Sequence, residues 1–212
     1  MAKKVSIAVS VVLHPLLMPT FLFALLFYYA PVIIEPVNPK AAIYLLMAVF
    51  ITTFLLPMIS ITALRFSDIY RSGKFYALSL PQRKDRILPF FFTSLFYMIT
   101  TYMFFSKFKV SQILVIILAA STLIILLVSI ITFFLKVSAH SASAGAMIGF
   151  LLALGFKFPQ SKMLWPLILI LILGGVVMSS RLYLDTHKPV DVLVGSILGL
   201  SVSLSSILIF SY

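Results

Sequence analysis

Residues 180–191 (SRLYLDTHKPVD) bring together side chains that serve as nucleophiles, bases and anion binders. His187 and Asp191 are four positions apart, so on a helix they would lie on one face within reach of each other. An aspartate beside an imidazole fixes the tautomer of the ring and stabilises its protonated form, which activates a histidine nucleophile or base. Arg181 can offer two parallel donors to a phosphate group. The alternative interpretation is an interfacial loop with ordinary anchoring charges.

A second candidate group surrounds His140, in the sequence KVSAHSASAG. Ser138 and the free backbone N–H groups at the start of the small-residue helix that follows could bind an anion. The alternative is an interfacial histidine without a chemical role. His14 lies inside an apolar segment beside a proline, and we interpret it as a structural histidine.

Metal binding is a competing use of these side chains, because His187 and Asp191 are both possible ligands. Too few acidic and imidazole ligands converge in the sequence, and the surrounding arginines and lysines would repel a cation. We therefore expect an anion, no metal and no other cofactor. The chain has no cysteine, which excludes a thiolate nucleophile and a disulfide framework.

The composition identifies the elements that must position these residues. Hydrophobic residues make up 62% of the chain and charged residues only 10%, against about 25% charged in soluble domains. This composition predicts an integral membrane protein built from helices, because a spanning helix satisfies its own backbone hydrogen bonds. The net charge is +11, with the basic residues lying between apolar blocks. Membrane lipids and phosphorylated substrates are therefore the expected partners, and nucleic acid is not.

Apolar runs long enough to span a bilayer predict an all-α, polytopic transmembrane bundle. They occupy residues 5–34, 41–64, 87–106, 110–135, 141–156, 163–180 and 192–212. We expect seven spans, or six if the first segment is re-entrant, because prolines interrupt that segment. The run 141–156 is rich in small residues, which suits close packing inside the bundle. Residues 1–212 show neither a repeat nor a linker and read as a single membrane domain.

The order of the spans predicts that three polar clusters share one face of the membrane. Each pair of spans returns the chain to the face from which it started. The basic stretch 65–86, the turn 136–140 and the stretch 181–191 should therefore meet at one face.

The motif SRxxxxxHxxxD, filled here by Ser180, Arg181, His187 and Asp191, resembles the third motif of the type 2 phosphatidic acid phosphatase (PAP2) superfamily. The continuation HKPVDVLVG is similar to that family's HxPxDVxxG. The sequence VSAH at 137–140 stands where the second motif, PSGH, is expected. The resemblance is to the integral membrane lipid phosphatases of the family, with a PAP2/haloperoxidase-like helical core at residues 80–200.

The first motif of the family, KxxxxxxRP, is replaced here by QRKDRILP at residues 82–89. Arg83, Lys84 and Arg86 can each supply its positive charge. By the resemblance, these three residues, together with Arg181 and Ser138, bind the phosphate.

The resemblance also implies the roles of the remaining site residues. His187 would attack phosphorus and form a phosphohistidine, and Asp191 would orient the nucleophile. His140 would protonate the leaving oxygen. The implied activity is a metal-independent phosphatase that acts on a lipid phosphate or a polyprenyl diphosphate. A lipid phosphotransferase and a non-catalytic transporter or scaffold with the same fold are the alternatives.

The resemblance places the protein in a bacterial inner membrane. The excess of lysine and arginine on the motif face would put that face in the cytoplasm. The active site itself needs positive charge, and the integral bacterial relatives favour the outer side, which is the side we expect. The lipid substrate and the oligomeric state stay open.

Overall fold

The computed structural model describes residues 2–72 and 84–210, with the side chains of residues 2, 65–72, 84 and 85 not described. Nine α-helices and no strand occur within these ranges. The helices are α1 Ala2–Val12, α2 Met18–Tyr29, α3 Pro39–Phe50, α4 Leu56–Ser72, α5 Lys84–Ser106, α6 Gln112–Thr132, α7 Ala139–Lys157, α8 Leu164–Tyr183 and α9 Pro189–Phe210. The described residues also form short 3₁₀ turns at Pro15–Leu17, Pro31–Ile34 and Pro159–Ser161 and a π-helical turn at Ile51–Leu55.

These helices form seven stretches long and apolar enough to cross a membrane. The first joins α1 to α2, and the second joins α3 to α4 through the π-helical turn. Helices α5 to α9 supply one stretch each. The prediction of an all-α polytopic bundle is confirmed, and the seven stretches follow the seven apolar runs of the sequence.

The first stretch is broken between α1 and α2. His14 has an extended backbone (φ −66°, ψ 137°), and its Nδ1 accepts a hydrogen bond from the Leu16 N–H at 3.3 Å. Pro15 begins the 3₁₀ turn, because proline lacks the N–H that a continuing helix needs. The interruption predicted at this point is thus a complete helix end.

Helix α7 lies at the centre of the bundle and packs most extensively on α9. Glycines on the two helices bring the backbones together: a Cβ on Gly199 would collide with the Ala142 carbonyl oxygen, and one on Gly145 with the carbonyl oxygen of Ser196. Small residues allow such close helix approaches inside membranes. The close packing predicted for 141–156 is present.

Contacts join the described parts of the segments predicted to share one face; residues 73–83 of the basic stretch lie outside the described residues. The Ser138 N–H, just before α7, donates to the Asp191 carbonyl in the first turn of α9 at 3.2 Å. Arg86, near the start of α5, reaches His187 in the loop between α8 and α9. The start of α5, the start of α7 and the loop before α9 therefore lie at one end of the bundle.

Candidate active site

The loop between α8 and α9 is fixed by its own sequence. Asp191 is the third residue of α9, and its Oδ2 accepts from the Lys188 N–H at 3.0 Å, as the acidic residue of a capping box does. Pro189 occupies the first helical position, where its missing N–H costs nothing. On the other side, the Thr186 hydroxyl donates to the Arg181 carbonyl at 3.0 Å. His187 is thereby held between two ordered helix ends.

The contacts of His187 define its tautomer. An Arg86 Nη1 lies 3.4 Å from Nε2, and a guanidinium can only donate, so Nε2 accepts and the proton of the neutral ring is on Nδ1. Nδ1 lies 3.5 Å from Asp191 Oδ2, a close electrostatic contact without a formed hydrogen bond. In this tautomer Nε2 carries the lone pair, which accepts from Arg86 in this structure. His187 precedes α9, so its contact with Asp191 joins loop and helix and not two positions of one helical face.

The surroundings of His187 favour its neutral form. Burial lowers the pKa of the imidazole from 6.5 to about 4, and the positive charges of Arg86, Arg181 and Lys136 lower that pKa as well. Asp191 acts in the opposite direction, with a smaller effect on the pKa. Only 7% of the His187 surface is exposed. The lowered pKa therefore favours a neutral His187 ring at neutral pH.

Arg181 lies in the last turn of α8, on the wall of the same cavity as His187. Its Nη1 donates to the Ser10 hydroxyl oxygen at 3.3 Å. Its Nε is buried and has no hydrogen-bond partner within the described part of the chain. An unpaired buried donor is costly, so the guanidinium keeps donor capacity for a ligand.

His140 is in the first turn of α7 and faces the N-terminal segment. Its Nε2 lies 3.0 Å from the Ser10 carbonyl oxygen, which can only accept, so Nε2 carries a proton. The ring of His14 meets that of His140 edge to face, with centroids 5.7 Å apart. All three residues line the cavity that contains His187.

The sequence did not identify Ser10, and it assigned His14 a structural role only. Serine is ordinary in a membrane helix, and its contact with His140 uses a backbone carbonyl that every residue has. The break beside Pro15 is the signal that this segment departs from a simple span.

Ser138 is fully buried and caps α7. Its Oγ accepts from the Ser141 N–H at 3.3 Å, which satisfies a free donor of the first helical turn. The structure uses this hydroxyl for capping and does not bring it to the cavity wall.

Of the three cations predicted for the first motif, the structure brings Arg86 to the site. Arg83 lies outside the described residues, as does the side chain of Lys84. In the family motif the arginine directly precedes the proline, whereas here two residues separate Arg86 from Pro89. Arg86 still reaches His187, because both lie at the same end of the bundle.

A cavity of about 850 Å³ extends from the residues around His187 into the bundle. Its polar end is lined by Arg86, His140 and His187. Along α5 it reaches Tyr97, and along α7 it reaches Phe150, each about 15 Å beyond the polar end at the rise of an α-helix. Threonine and serine hydroxyls on its wall are turned to carbonyls of their own helices, as at Thr93 and Ser121. The deep part is therefore a slot for hydrocarbon.

The described residues contain no group of three or more His, Cys, Asp or Glu side chains placed to hold a metal ion. The charged groups around His187 are instead mostly cations, namely Arg86, Lys136 and Arg181. Such a setting suits an anionic group.

The chain was compared with known protein families and proteins. The PAP2 superfamily model matches residues 131–212, a range that includes His140, Arg181, His187 and Asp191. Comparison with curated proteins and with solved structures gave no match. The match to this superfamily supports a phosphatase-type function in general terms. The wider core predicted at residues 80–200 stays a prediction. The resemblance inferred from the motifs is confirmed over residues 131–212, where this membrane protein matches the PAP2 superfamily.

Proposed function

We propose that this protein hydrolyses a lipid phosphate or lipid diphosphate at the membrane interface, without a metal, through a phosphohistidine on His187. The observation that carries the proposal is that Arg86, His140 and His187 lie together at the polar end of an otherwise apolar cavity. A phosphorylated headgroup fits the cluster, and a hydrocarbon tail fits the slot behind it. A volume of about 850 Å³ lies within the usual range of ligand pockets, roughly 300–1,000 Å³.

The proposed first step is the attack of His187 Nε2 on phosphorus. The phosphoryl group replaces Nε2 as the partner of Arg86, which frees the lone pair. As the N–P bond forms, the bond between phosphorus and the lipid oxygen breaks, and that oxygen takes the Nδ1 proton of the His140 imidazolium. The ring is left neutral, with its Nε2 proton still donated to the Ser10 carbonyl. Asp191 stabilises the positive charge that develops on the His187 ring.

The second step is hydrolysis of the phosphohistidine. Water attacks phosphorus, the N–P bond breaks, and inorganic phosphate leaves with His187 regenerated. The neutral His140 ring accepts a proton from the attacking water at Nδ1. Arg86 and Arg181 stabilise the charge on the phosphoryl oxygens in both steps, which is the main contribution that a protein makes to phosphoryl transfer.

The test is phosphate release by the detergent-purified full chain in the presence of EDTA, on a panel of lipid monophosphates and diphosphates. We expect release by the parent and at least about a 10³-fold lower rate for His187→Ala, because the nucleophile is lost. Equal release by both would contradict the histidine mechanism. Absence of release from every lipid, with binding retained, would favour the non-catalytic alternative, and transfer to an added alcohol would favour the phosphotransferase.

A further inference from the structure

Ser10, in the last turn of α1, contacts two residues of the candidate site at once. Its carbonyl oxygen accepts from His140 Nε2 at 3.0 Å, and its hydroxyl oxygen accepts from Arg181 Nη1 at 3.3 Å. His140 and Arg181 belong to the part of the chain that matches the PAP2 superfamily, residues 131–212, whereas Ser10 lies far outside it. Ser10 is 7% exposed, so both contacts are shielded from water.

The end of α1 explains why this carbonyl is available. The last carbonyls of an α-helix have no partner within the helix unless the chain continues helically. Here α1 ends at Val12, and His14 turns into an extended conformation before Pro15. His140 supplies the donor that the missing helical turn would have given to the Ser10 carbonyl.

The hydroxyl of Ser10 is oriented for its contact with Arg181. Its own hydrogen goes to the Ser6 carbonyl at 2.9 Å, which directs its lone pairs towards other donors. Arg181 Nη1 takes one of them. This contact fixes one end of the guanidinium, while the Nε of Arg181 has no partner among the described residues.

We infer that Ser10 is a positioning residue, which holds the general acid His140 and the phosphate-binding Arg181 in one arrangement. The inference rests on the proposed function for the roles of His140 and Arg181. Helix α1 then contributes to the active site through Ser10. Loss of the Ser10 hydroxyl should loosen Arg181 and weaken the binding of a phosphoryl group, while the backbone contact to His140 persists.

The test measures the binding of orthovanadate, a phosphate analogue, to the full chain in detergent by isothermal titration, which does not depend on turnover. For Ser10→Ala we expect a Kd about three- to tenfold higher, the size of one ordinary hydrogen bond. Ser10→Thr keeps a hydroxyl and should restore the parent Kd. Ser6→Ala keeps the carbonyl that accepts from Ser10, so it is the matched control and should bind as the parent does.

A double-mutant cycle separates positioning from a general loss of structure. In an Arg181→Gln background, Ser10→Ala should change the Kd by less than about twofold, because the group that it positions is gone. Equal effects of Ser10→Ala in both backgrounds, or no effect in the parent, would overturn the inference. If Ser10→Ala lowers the unfolding temperature markedly, Ser10→Cys, with a sulfur in place of the hydroxyl, provides the same comparison.

The outcomes also separate the inference from the proposed function. Vanadate binding that depends on Ser10 and Arg181 as described, without hydrolysis of any lipid phosphate, would support the positioning role and contradict the hydrolase. Lipid hydrolysis with vanadate binding indifferent to Ser10 would do the reverse.

Discussion

The charge on His187 is set by the residues that the fold places around it. The ring is buried, three cations lie near it, and Asp191 offsets only part of their effect on its pKa. A histidine that acts as a nucleophile has to be neutral, and a lowered pKa keeps it neutral over the physiological range. This environment also makes the protonation of His187 a measurable property of the free protein.

We expect His187 to titrate near pH 4 and not near 6.5. Its folded pKa is lowered, so between about pH 6.5 and 4 the unfolded chain takes up a proton that the folded chain does not, and stability falls as the pH falls through that window. The measurement is an NMR titration of ¹⁵N-labelled imidazoles in detergent, with the His187 signal assigned by its absence from His187→Ala. Arg86→Gln removes a nearby positive charge and should raise the pKa. A midpoint at pH 6 to 7 in the parent would contradict this view of the site.

The sequence predicted those residues of the site that belong to a motif with fixed spacing. Arg181, His187 and Asp191 follow from SRxxxxxHxxxD, and the structure brings them together. Arg86 could not be separated from its basic neighbours, because the first motif has lost its spacing. Ser138 at a helix start could bind an anion or cap the helix, and its hydroxyl caps. The contacts of Ser10 leave no pattern in the sequence.

The helix pair α7–α9 determines how far His140 lies from His187, since each helix begins beside one of these histidines. The backbone of Gly199 is packed against the carbonyl of Ala142, with no room for a Cβ. At the end of the bundle that holds the candidate site, the Ser138 N–H donates to the Asp191 carbonyl and so links the starts of the two helices. A change in the spacing of these helices should therefore affect stability and activity together.

We expect Gly199→Ala to destabilise the protein by about 1–3 kcal/mol through overpacking, and to reduce phosphate release by separating α7 from α9. The matched control is Gly175→Ala in α8, where a Cβ would meet nothing within 4 Å. Because alanine favours a helix more than glycine does, the control should unfold at the parent temperature or slightly above it. Equal unfolding midpoints for both variants in detergent would contradict the packing role of Gly199.

The elements themselves were largely predictable from composition. A bilayer demands about 20 apolar residues per spanning helix, so the apolar runs mark the helices directly. The prolines near His14 predicted an interruption of the first segment. Sequence alone could not say that the freed carbonyl of Ser10 would meet His140, because that contact depends on how α1 packs on α8 and α7.

Across the whole molecule, the cavity joins a charged end to a hydrocarbon interior formed by several helices. Its walls come from α1, α2 and α4 to α8, and its length of about three helical turns follows from the rise of α5 and α7. A lipid chain bound in this slot would contribute binding energy at a distance from the reacting phosphorus. The size of the slot should therefore matter for lipids and not for small soluble phosphates.

We expect Ile125→Trp, on the cavity wall in α6, to lower kcat/KM for a long-chain lipid phosphate by about tenfold or more, equivalent to ~1.4 kcal/mol. Hydrolysis of a soluble aryl phosphate should change little, because its phosphoryl group needs only the polar end. Ile130→Trp is the control, since Ile130 is on the outer surface of the same helix with 53% exposure. Similar losses with both substrates would argue against a tail in this cavity.

We expect the whole molecule to be oriented with its active site on the outer face of the bacterial inner membrane. Phe134 is exposed in the turn at the active-site end, and Gln160 is exposed at the opposite end, between α7 and α8. The chain has no cysteine, so single cysteines at these positions can be labelled cleanly. An impermeant maleimide added to intact cells should label Phe134→Cys and spare Gln160→Cys. The opposite pattern would place the site in the cytoplasm.

The most direct measurement of the central claim is the chemical trapping of the covalent intermediate. The detergent-purified protein would be mixed with a lipid phosphate carrying radiolabelled phosphorus, quenched in base within milliseconds and digested for peptide identification. We expect label on the peptide that contains His187, stable to base and labile to acid, and none on His187→Ala. Rapid hydrolysis by the parent without any labelled peptide, or label that persists in His187→Ala, would contradict the assignment of His187 as the nucleophile.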